Sequence, residues 1–284
     1  MPEAPPAAYP FLKGHGTEND FVLLPDHDGT RHGALDPARV VALCDRRAGI
    51  GGDGVIRVVR TAALDDGGAP AGAGSGGAEW FMDYRNADGS VSEMCGNGVR
   101  VLARHLIDEG LVDPAAPIAI GTRAGVRTVT VEGDLLSVDM GIATVLGETT
   151  VGVEGTSYAA RHVDVGNPHA VALVPDLDAL AEPLTEPAHD PAVYPAGVNV
   201  ELVVRRAERH VAMRVHERGS GETRSCGTGA CAAMVVAAAD EPAGEPVTYR
   251  VDVPGGTLQV TRLPDGRVLL AGPAVLVARG TTTL

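Results

Sequence analysis

Apolar and polar residues alternate over short stretches through most of the chain, a period typical of strands with one buried face. The predicted strands are Phe21 to Leu24, Val55 to Val59, Trp80 to Tyr84, Val126 to Val131, Leu135 to Met140, Val163 to Val165, Val171 to Val174, Val200 to Val204 and Val211 to His216. The predicted helices are Pro37 to Cys44, Gly98 to Glu109, Leu177 to Glu182 and Thr228 to Ala239. The pattern indicates an α+β protein in which strands predominate.

The chain contains one internal repeat. A predicted strand, a Gly-Ser turn, a Cys-Gly-x-Gly motif and a predicted helix follow one another twice, with the motif at Cys95 to Gly98 and at Cys226 to Gly229. A four-residue motif alone is a weak signal, but two copies in the same context predict two lobes related by a pseudo-twofold axis. A site on that axis would receive one cysteine from each lobe.

The 284 residues are expected to divide into two lobes. We expect an N-terminal lobe over 1–124, completed by the last strand at about 273–284, and a C-terminal lobe over 125–272, with the active site in the cleft between them. The segment from Ala62 to Gly77 consists mostly of Gly, Ala and Asp, and is typical of a surface loop.

Composition narrows the possible partners. The formal net charge of −14 repels phosphate backbones, which argues against nucleic acid. The longest apolar stretch, Ala230 to Ala239, is too short to span a bilayer, and the N-terminus lacks a signal-peptide pattern. We therefore expect no membrane partner and a cytoplasmic location, where the four cysteines stay reduced.

The two motif cysteines have the chemistry of an acid and a base. At a helix start, unpaired backbone N–H groups and the helix dipole stabilise negative charge, so we expect the pKa of Cys95 and Cys226 to be lowered from about 8.5 toward neutrality. Two such thiols facing each other could remove a proton from one face of a carbon and return one to the other. Cys44 and Cys231 lie at helical, apolar positions and are interpreted as core residues.

A cofactor is not expected. Amino-acid α-protons are weakly acidic, and most enzymes that remove them use pyridoxal phosphate anchored by a lysine. The only lysine is Lys13, near the N-terminus, and no C-x-x-C pair suggests a zinc site. The sequence predicts catalysis with no cofactor and no metal.

Five motifs in order resemble the diaminopimelate epimerase family, over nearly the whole chain. They are His15 to Phe21, Asn86 to Ser90 with Met94 to Gly98, Gly166 to His169, Gly197 to Asn199, and Glu217 to Gly219 with Ser225 to Gly229. The resemblance implies epimerisation of LL-2,6-diaminopimelate to meso-2,6-diaminopimelate for lysine and peptidoglycan precursors. It also implies a homodimer and two lobes, each a barrel-like, mostly antiparallel sheet around a central helix.

The resemblance further implies a role for each matching residue. Cys95 and Cys226 would be catalytic, and His169 and Glu217 would tune the thiols. The substrate-binding residues would be Asn19, Asn86, Gly96, Asn97, Asn167, Asn199, Glu217, Arg218, Gly227 and Thr228. Such a set suits diaminopimelate, because each of its ends carries both donors and acceptors. One departure is Gly54, where the family often has glutamine.

Three other functions are compatible with parts of this pattern. A proline or hydroxyproline racemase would use two cysteines, but its substrate has one amino-acid end and would not need Asn167, Asn199, Glu217 and Arg218 together. A non-catalytic anion-binding protein would bind without exchanging the α-proton. A dithiol redox protein would use Cys95 and Cys226 differently, although they lack C-x-x-C spacing.

Overall fold

The computed structural model describes residues 7–64, 77–242 and 244–284. Most of the segment predicted as a surface loop, 65–76, lies outside the described residues, as do residues 1–6. No helix within the described ranges is long and apolar enough to cross a membrane.

Strands predominate, as predicted. The helices are α1 (Pro37–Cys44), α2 (Gly96–Asp108) and α3 (Gly227–Ala237), with a 3₁₀ turn at Thr61–Ala63. The strands are β1 (Tyr9–Gly16), β2 (Asn19–Pro25), β3 (Gly54–Arg60), β4 (Trp80–Asn86), β5 (Ile118–Thr122), β6 (Gly125–Glu132), β7 (Leu135–Ile142), β8 (Thr144–Val153), β9 (Thr156–Asp164), β10 (Pro168–Leu173), β11 (Ala188–His189), β12 (Asn199–Ala207), β13 (His210–Glu217), β14 (Gly221–Thr223), β15 (Val247–Val253), β16 (Gly256–Arg262), β17 (Arg267–Gly272) and β18 (Val275–Thr282).

The helix predicted from Leu177 to Glu182 is wrong, because this segment forms turns. Side chains satisfy its backbone groups in place of helical hydrogen bonds. Arg214 donates to the carbonyls of Leu177, Leu180 and Ala181, and Glu154 accepts from the Ala181 N–H at 2.7 Å. The apolar spacing therefore reflects packing of a turn against the core.

Contacts divide the chain into two units, 1–138 with 273–284, and 139–272. The C-terminal strand β18 thus groups with the first unit, and the division falls later than the expected boundary at 124/125, so that β6 groups with the first unit too. In the first unit the strand order is β18-β1-β2-β3-β4-β5-β6-β7. The β2–β3 and β4–β5 pairs are parallel, and the other pairs are antiparallel.

The second unit has the same topology. Its strand order is β8-β9-β10-β12-β13-β15-β16-β17, with β10–β12 and β13–β15 parallel and the other pairs antiparallel. The short β11 and β14 add to β8 and β13. The repeat read from two short motifs therefore extends over eight strands of each unit.

Each unit has one central helix. α2 packs against β1 to β6 and β18, and α3 packs against β9, β10, β12, β13 and β15 to β17, so each sheet curves around its helix. α3 has no charged residue and can be buried on all sides. The α+β prediction is confirmed, and both helices begin directly after a motif cysteine.

Candidate active site

Both motif cysteines are the N-cap residues of the central helices. Cys95 has φ −141° and ψ 117°, and its Sγ accepts the Gly98 N–H at 3.4 Å. Cys226 has φ −117° and ψ 116°, and its Sγ accepts the Gly229 N–H at 3.4 Å. The two sulfurs therefore occupy the same local position, at the positive end of a helix.

In the first unit, a chain of hydrogen bonds leads to Cys95. Its Sγ donates to Asn19 Oδ1 at 3.6 Å, and Asn97 Nδ2 donates to the same oxygen at 3.1 Å. Asn19 Nδ2 donates to Asp53 Oδ2 at 2.7 Å, which fixes the orientation of the Asn19 amide. Arg100 Nη2 donates to Asn97 Oδ1 at 2.9 Å from inside α2.

Asn86 lies at the end of β4 and takes part in a turn. Its Nδ2 donates to Ser90 Oγ at 3.0 Å. Its strand partner is Gly54, where a Cβ would lie 2.4 Å from the Arg85 carbonyl oxygen and 2.5 Å from Tyr84 Cε2. The family's glutamine at this position therefore has no space here unless β3 and β4 shift.

In the second unit, His169 is completely buried and bonded through both ring nitrogens. Nδ1 lies 2.6 Å from Glu201 Oε1, and Nε2 lies 2.8 Å from Asn167 Oδ1. Sequence reasoning missed Glu201. The available signal was a carboxylate between Val200 and Leu202, in a predicted strand, Val200 to Val204, that is otherwise apolar.

The Asn199 side chain forms hydrogen bonds with backbone groups beside the His169–Glu201 pair. Its Nδ2 donates to the Pro168 carbonyl at 3.1 Å, and its Oδ1 accepts the Arg218 N–H at 3.0 Å. The Arg218 side chain is exposed and packs across Gly197, where a Cβ would lie 3.1 Å from its Cγ. Among the described residues, no hydrogen bond or ion pair of the Arg218 guanidinium is present.

The electrostatics at Cys226 differ from the sequence-based expectation. Burial raises the pKa of Cys226 well above its usual value, and the charges of Glu217 and Glu201 raise it further. Hydrogen bonds from Thr228, whose Oγ1 lies 3.4 Å from Sγ, and from the Gly229 N–H lower it by less. The expected lowering is therefore wrong for this thiol, which is protonated at neutral pH. Glu217 also accepts a short hydrogen bond from Thr223 Oγ1.

The other two cysteines are buried, as interpreted from the sequence. Cys44 belongs to a core cluster with Val40 and Leu43, and burial raises its pKa to about 11. Cys231 lies within α3. Lys13 is engaged by Asp20 at 2.6 Å.

In each unit the site residues gather at one edge of the sheet. In the first unit, Asn19 begins β2, Asn86 ends β4, and the Ala87 N–H donates to the Asp53 carbonyl at 3.0 Å. In the second, His169 and Asn199 are register partners at the starts of β10 and β12, and Glu217 ends β13. In each unit the same topology thus brings the motif residues together.

Comparisons with known proteins agree with these motifs. A family described as diaminopimelate epimerase matches residues 11–146 and 161–277. The diaminopimelate epimerase of Streptomyces coelicolor is 57% identical over 279 residues, covering 95% of this chain and 94% of that protein. That of Mycolicibacterium smegmatis is 47% identical, covering 95% of each.

Solved structures show similarity in fold. A phenazine biosynthesis protein of the PhzF family from Bacillus anthracis has a TM-score of 0.71 at 15% identity, covering 97% of this chain and 99% of that chain. A hydroxyproline epimerase from Agrobacterium vitis has a TM-score of 0.65 at 14% identity, covering 97% and 92%.

Proposed function

The chain belongs to the diaminopimelate epimerase family, and on that premise we propose that Cys95 and Cys226 are the acid and base of its reaction. The enzyme is an isomerase, an amino-acid epimerase of lysine biosynthesis that converts LL- to meso-2,6-diaminopimelate. The observation that carries the proposal is the shared N-cap geometry of the two sulfurs.

The reaction needs one proton removed and one returned on opposite faces of the α-carbon. One sulfur, as thiolate, takes the α-proton while the other, as thiol, donates its proton to the opposite face, so the enzyme ends with the two protonation states exchanged. No electron is gained or lost. The pKa raised by burial makes Cys226 the proton donor in the resting enzyme. Proton exchange of the two sulfurs with solvent then restores the resting protonation states before the next forward turnover.

The helix starts would also bind the reacting carboxylate. The first turn of each central helix has backbone N–H groups outside the helical hydrogen-bond pattern that point along the helix axis and can bind a carboxylate. These groups belong to Gly96 and Asn97 in α2 and to Gly227 and Thr228 in α3. As the α-proton leaves, negative charge grows on this carboxylate, so these donors act most strongly in the transition state.

The remaining polar residues would hold the other amino-acid end. The guanidinium of Arg218, which has no hydrogen bond or ion pair with any residue that the structure describes, suits a carboxylate, which it can bind through two hydrogen bonds. Asn19, Asn86, Asn167 and Asn199 each have two donors and two lone pairs, so their contacts within the protein leave capacity for the substrate. His169 and Glu217 would tune the thiols.

Substitution of single cysteines tests the assignment. We expect Cys95→Ala and Cys226→Ala each to lower kcat by roughly 10²- to 10⁴-fold, the usual contribution of a general acid or base. Cys44→Ala is the matched control, because it removes a buried thiol outside the site, and it should retain kcat. Either motif variant turning over at the wild-type rate would contradict the proposal.

We also propose that the enzyme acts in the cytoplasm as a homodimer. Reducing conditions there keep the thiols active, and exposed Val275 and Val277 on β18 offer apolar surface for a second copy. Sedimentation equilibrium should give a mass near 58 kDa, roughly twice that of the 29.1 kDa chain. A value near one chain at micromolar concentration would contradict the dimer.

A further inference from the structure

Glu201 is a completely buried carboxylate that nothing in the fold requires. It lies in β12 between Val200 and Leu202, at a position where an apolar side chain would fill the core. Its Oε1 contacts His169, whereas within the described ranges Oε2 has no hydrogen-bond partner. A buried carboxyl group with an unsatisfied oxygen destabilises a protein. Its presence therefore points to a role in the site.

One contact of Glu201 determines which ring nitrogen of His169 carries the proton. A carboxylate only accepts hydrogen bonds, so at 2.6 Å the Nδ1 atom of His169 must carry the proton. The ring is then held with Nε2 facing the Asn167 side-chain amide, 2.8 Å away. Because Nε2 is bare in the Nδ1–H form, it accepts from the NH₂ end of that amide, which requires the amide to be turned by 180°. Without the carboxylate, neither the proton position nor the ring orientation would be fixed in this way.

The other contact is with the first turn of α3. A Cβ on Gly229 would lie 2.6 Å from Glu201 Oε1, so the carboxyl group lies directly against the helix start that Cys226 caps. Its negative charge there offsets the positive potential that the helix start provides at the Cys226 thiol. The same carboxylate therefore touches His169 and faces the backbone that holds Cys226.

We propose that Glu201 is a positioning residue for the epimerisation: it holds His169 in the Nδ1–H form and places negative charge against the helix start that carries Cys226. This inference rests on the function proposed above. The charge keeps Cys226 protonated in the resting enzyme, ready to donate. The titratable groups that interact with this carboxyl are His169 from β10, Cys226 at the N-cap of α3 and Tyr194 from the preceding loop. Glu217 from β13 is the second carboxylate whose charge acts on Cys226.

The first test compares Glu201→Gln with Glu208→Gln. Glutamine preserves the shape and can still accept from His169 Nδ1, so E201Q removes only the charge. Glu208 is exposed on the turn between β12 and β13, and E208Q makes the same charge change away from the site. The rate of Cys226 alkylation by iodoacetamide, followed by peptide mass spectrometry, is measured against pH.

We expect the alkylation profile of Cys226 to move to lower pH by roughly one unit in E201Q, because one nearby negative charge is gone. E208Q should match the wild type, and E201D, which restores the charge, should return the profile toward it. We further expect kcat of E201Q to fall about tenfold, equivalent to ~1.4 kcal/mol, with KM changed less than about twofold. An unchanged alkylation profile in E201Q would overturn the proposal.

A second measurement uses the wild-type enzyme and decides the matter even if E201Q does not fold. In protein labelled with ¹⁵N-histidine, the His169 signal is assigned by its loss in His169→Gln. Nδ1 is expected to be protonated at neutral pH, and a bare Nδ1 would overturn the proposal. Neither readout needs turnover, so a wild-type enzyme that failed to epimerise diaminopimelate would instead overturn the proposed function.

Discussion

At the scale of single residues, each motif cysteine occupies an N-cap position that Ser, Thr, Asp or Asn usually fills. A sulfur accepts a backbone N–H more weakly than an oxygen, so cysteine at both helix starts costs stability. Thiol chemistry explains the choice, because a thiol exchanges protons near neutral pH and a hydroxyl does not.

At Cys226, burial and two carboxylates raise the pKa of the thiol by more than the helix start lowers it. The sequence could not predict this outcome, because it contains no direct measure of burial.

Arg218 provides the test of substrate specificity at this scale. We expect Arg218→Met to lower kcat/KM for diaminopimelate by roughly tenfold to hundredfold, the value of a charged hydrogen bond. Steady-state kinetics measure the effect. Arg206→Met, which replaces an exposed arginine on β12, is the control and should change kcat/KM little. Wild-type kinetics for R218M would remove the argument that the site binds a second amino-acid end.

At the scale of elements, the third residue of each central helix distinguishes the two copies of the Cys-Gly-x-Gly motif. Gly98 and Gly229 both donate to the capping sulfur. A Cβ at Gly98 would lie 3.2 Å from the Ile56 Cδ1 methyl, which can move. A Cβ at Gly229 would lie 2.6 Å from Glu201 Oε1, which is held by His169. The motif at Cys95 therefore has room for a Cβ at its last glycine, whereas the motif at Cys226 does not.

This difference predicts that alanine substitutions at Gly98 and Gly229 have unequal effects on the free energy of unfolding and on kcat. We expect Gly229→Ala to destabilise the protein by about 1–3 kcal/mol through overpacking and to lower kcat by displacing Glu201. Gly98→Ala should change the free energy of unfolding by less than about 1 kcal/mol, because better helix propensity offsets the tighter contact. Urea unfolding and steady-state kinetics measure both. Equal effects of the two substitutions would contradict the role given to Glu201.

Elements were predicted well where the local pattern decides the structure. α1 matches its prediction from Pro37 to Cys44, since Asp36 caps it and proline begins it. The false helix at Leu177 to Glu182 shows the limit, because distant residues, Arg214 and Glu154, satisfy that backbone. The His169–Glu201 pair likewise joins residues from two strands, and no local pattern brings them together.

At the scale of the whole molecule, the two units repeat one topology, and the chain returns to the first unit at its end. β18 pairs with β1 from Tyr9 to His15, and the Leu284 carbonyl accepts from Arg39 Nε at 3.1 Å. The motifs predicted the repeat. They did not predict the strand order, because pairing of distant strands depends on packing that a short pattern does not record.

The returning strand predicts the effect of truncation. Without residues 273–284, β1 becomes an edge strand, and we expect its amides to exchange with deuterated solvent at least about tenfold faster. Amides of β15 in the second unit should keep their protection and serve as the internal control. Hydrogen-exchange mass spectrometry measures both, and full protection of β1 in the truncated protein would contradict the pairing.

The central claim, that two thiols act on opposite faces of one carbon, is tested most directly by epimerising LL-diaminopimelate in deuterated water. At early times we predict one deuterium at the inverted carbon of the meso product and none in the recovered substrate. The reason is that the first thiol holds the abstracted proton while the second delivers deuterium. Deuterium entering the recovered LL substrate as fast as the product forms would show a single base and contradict the account.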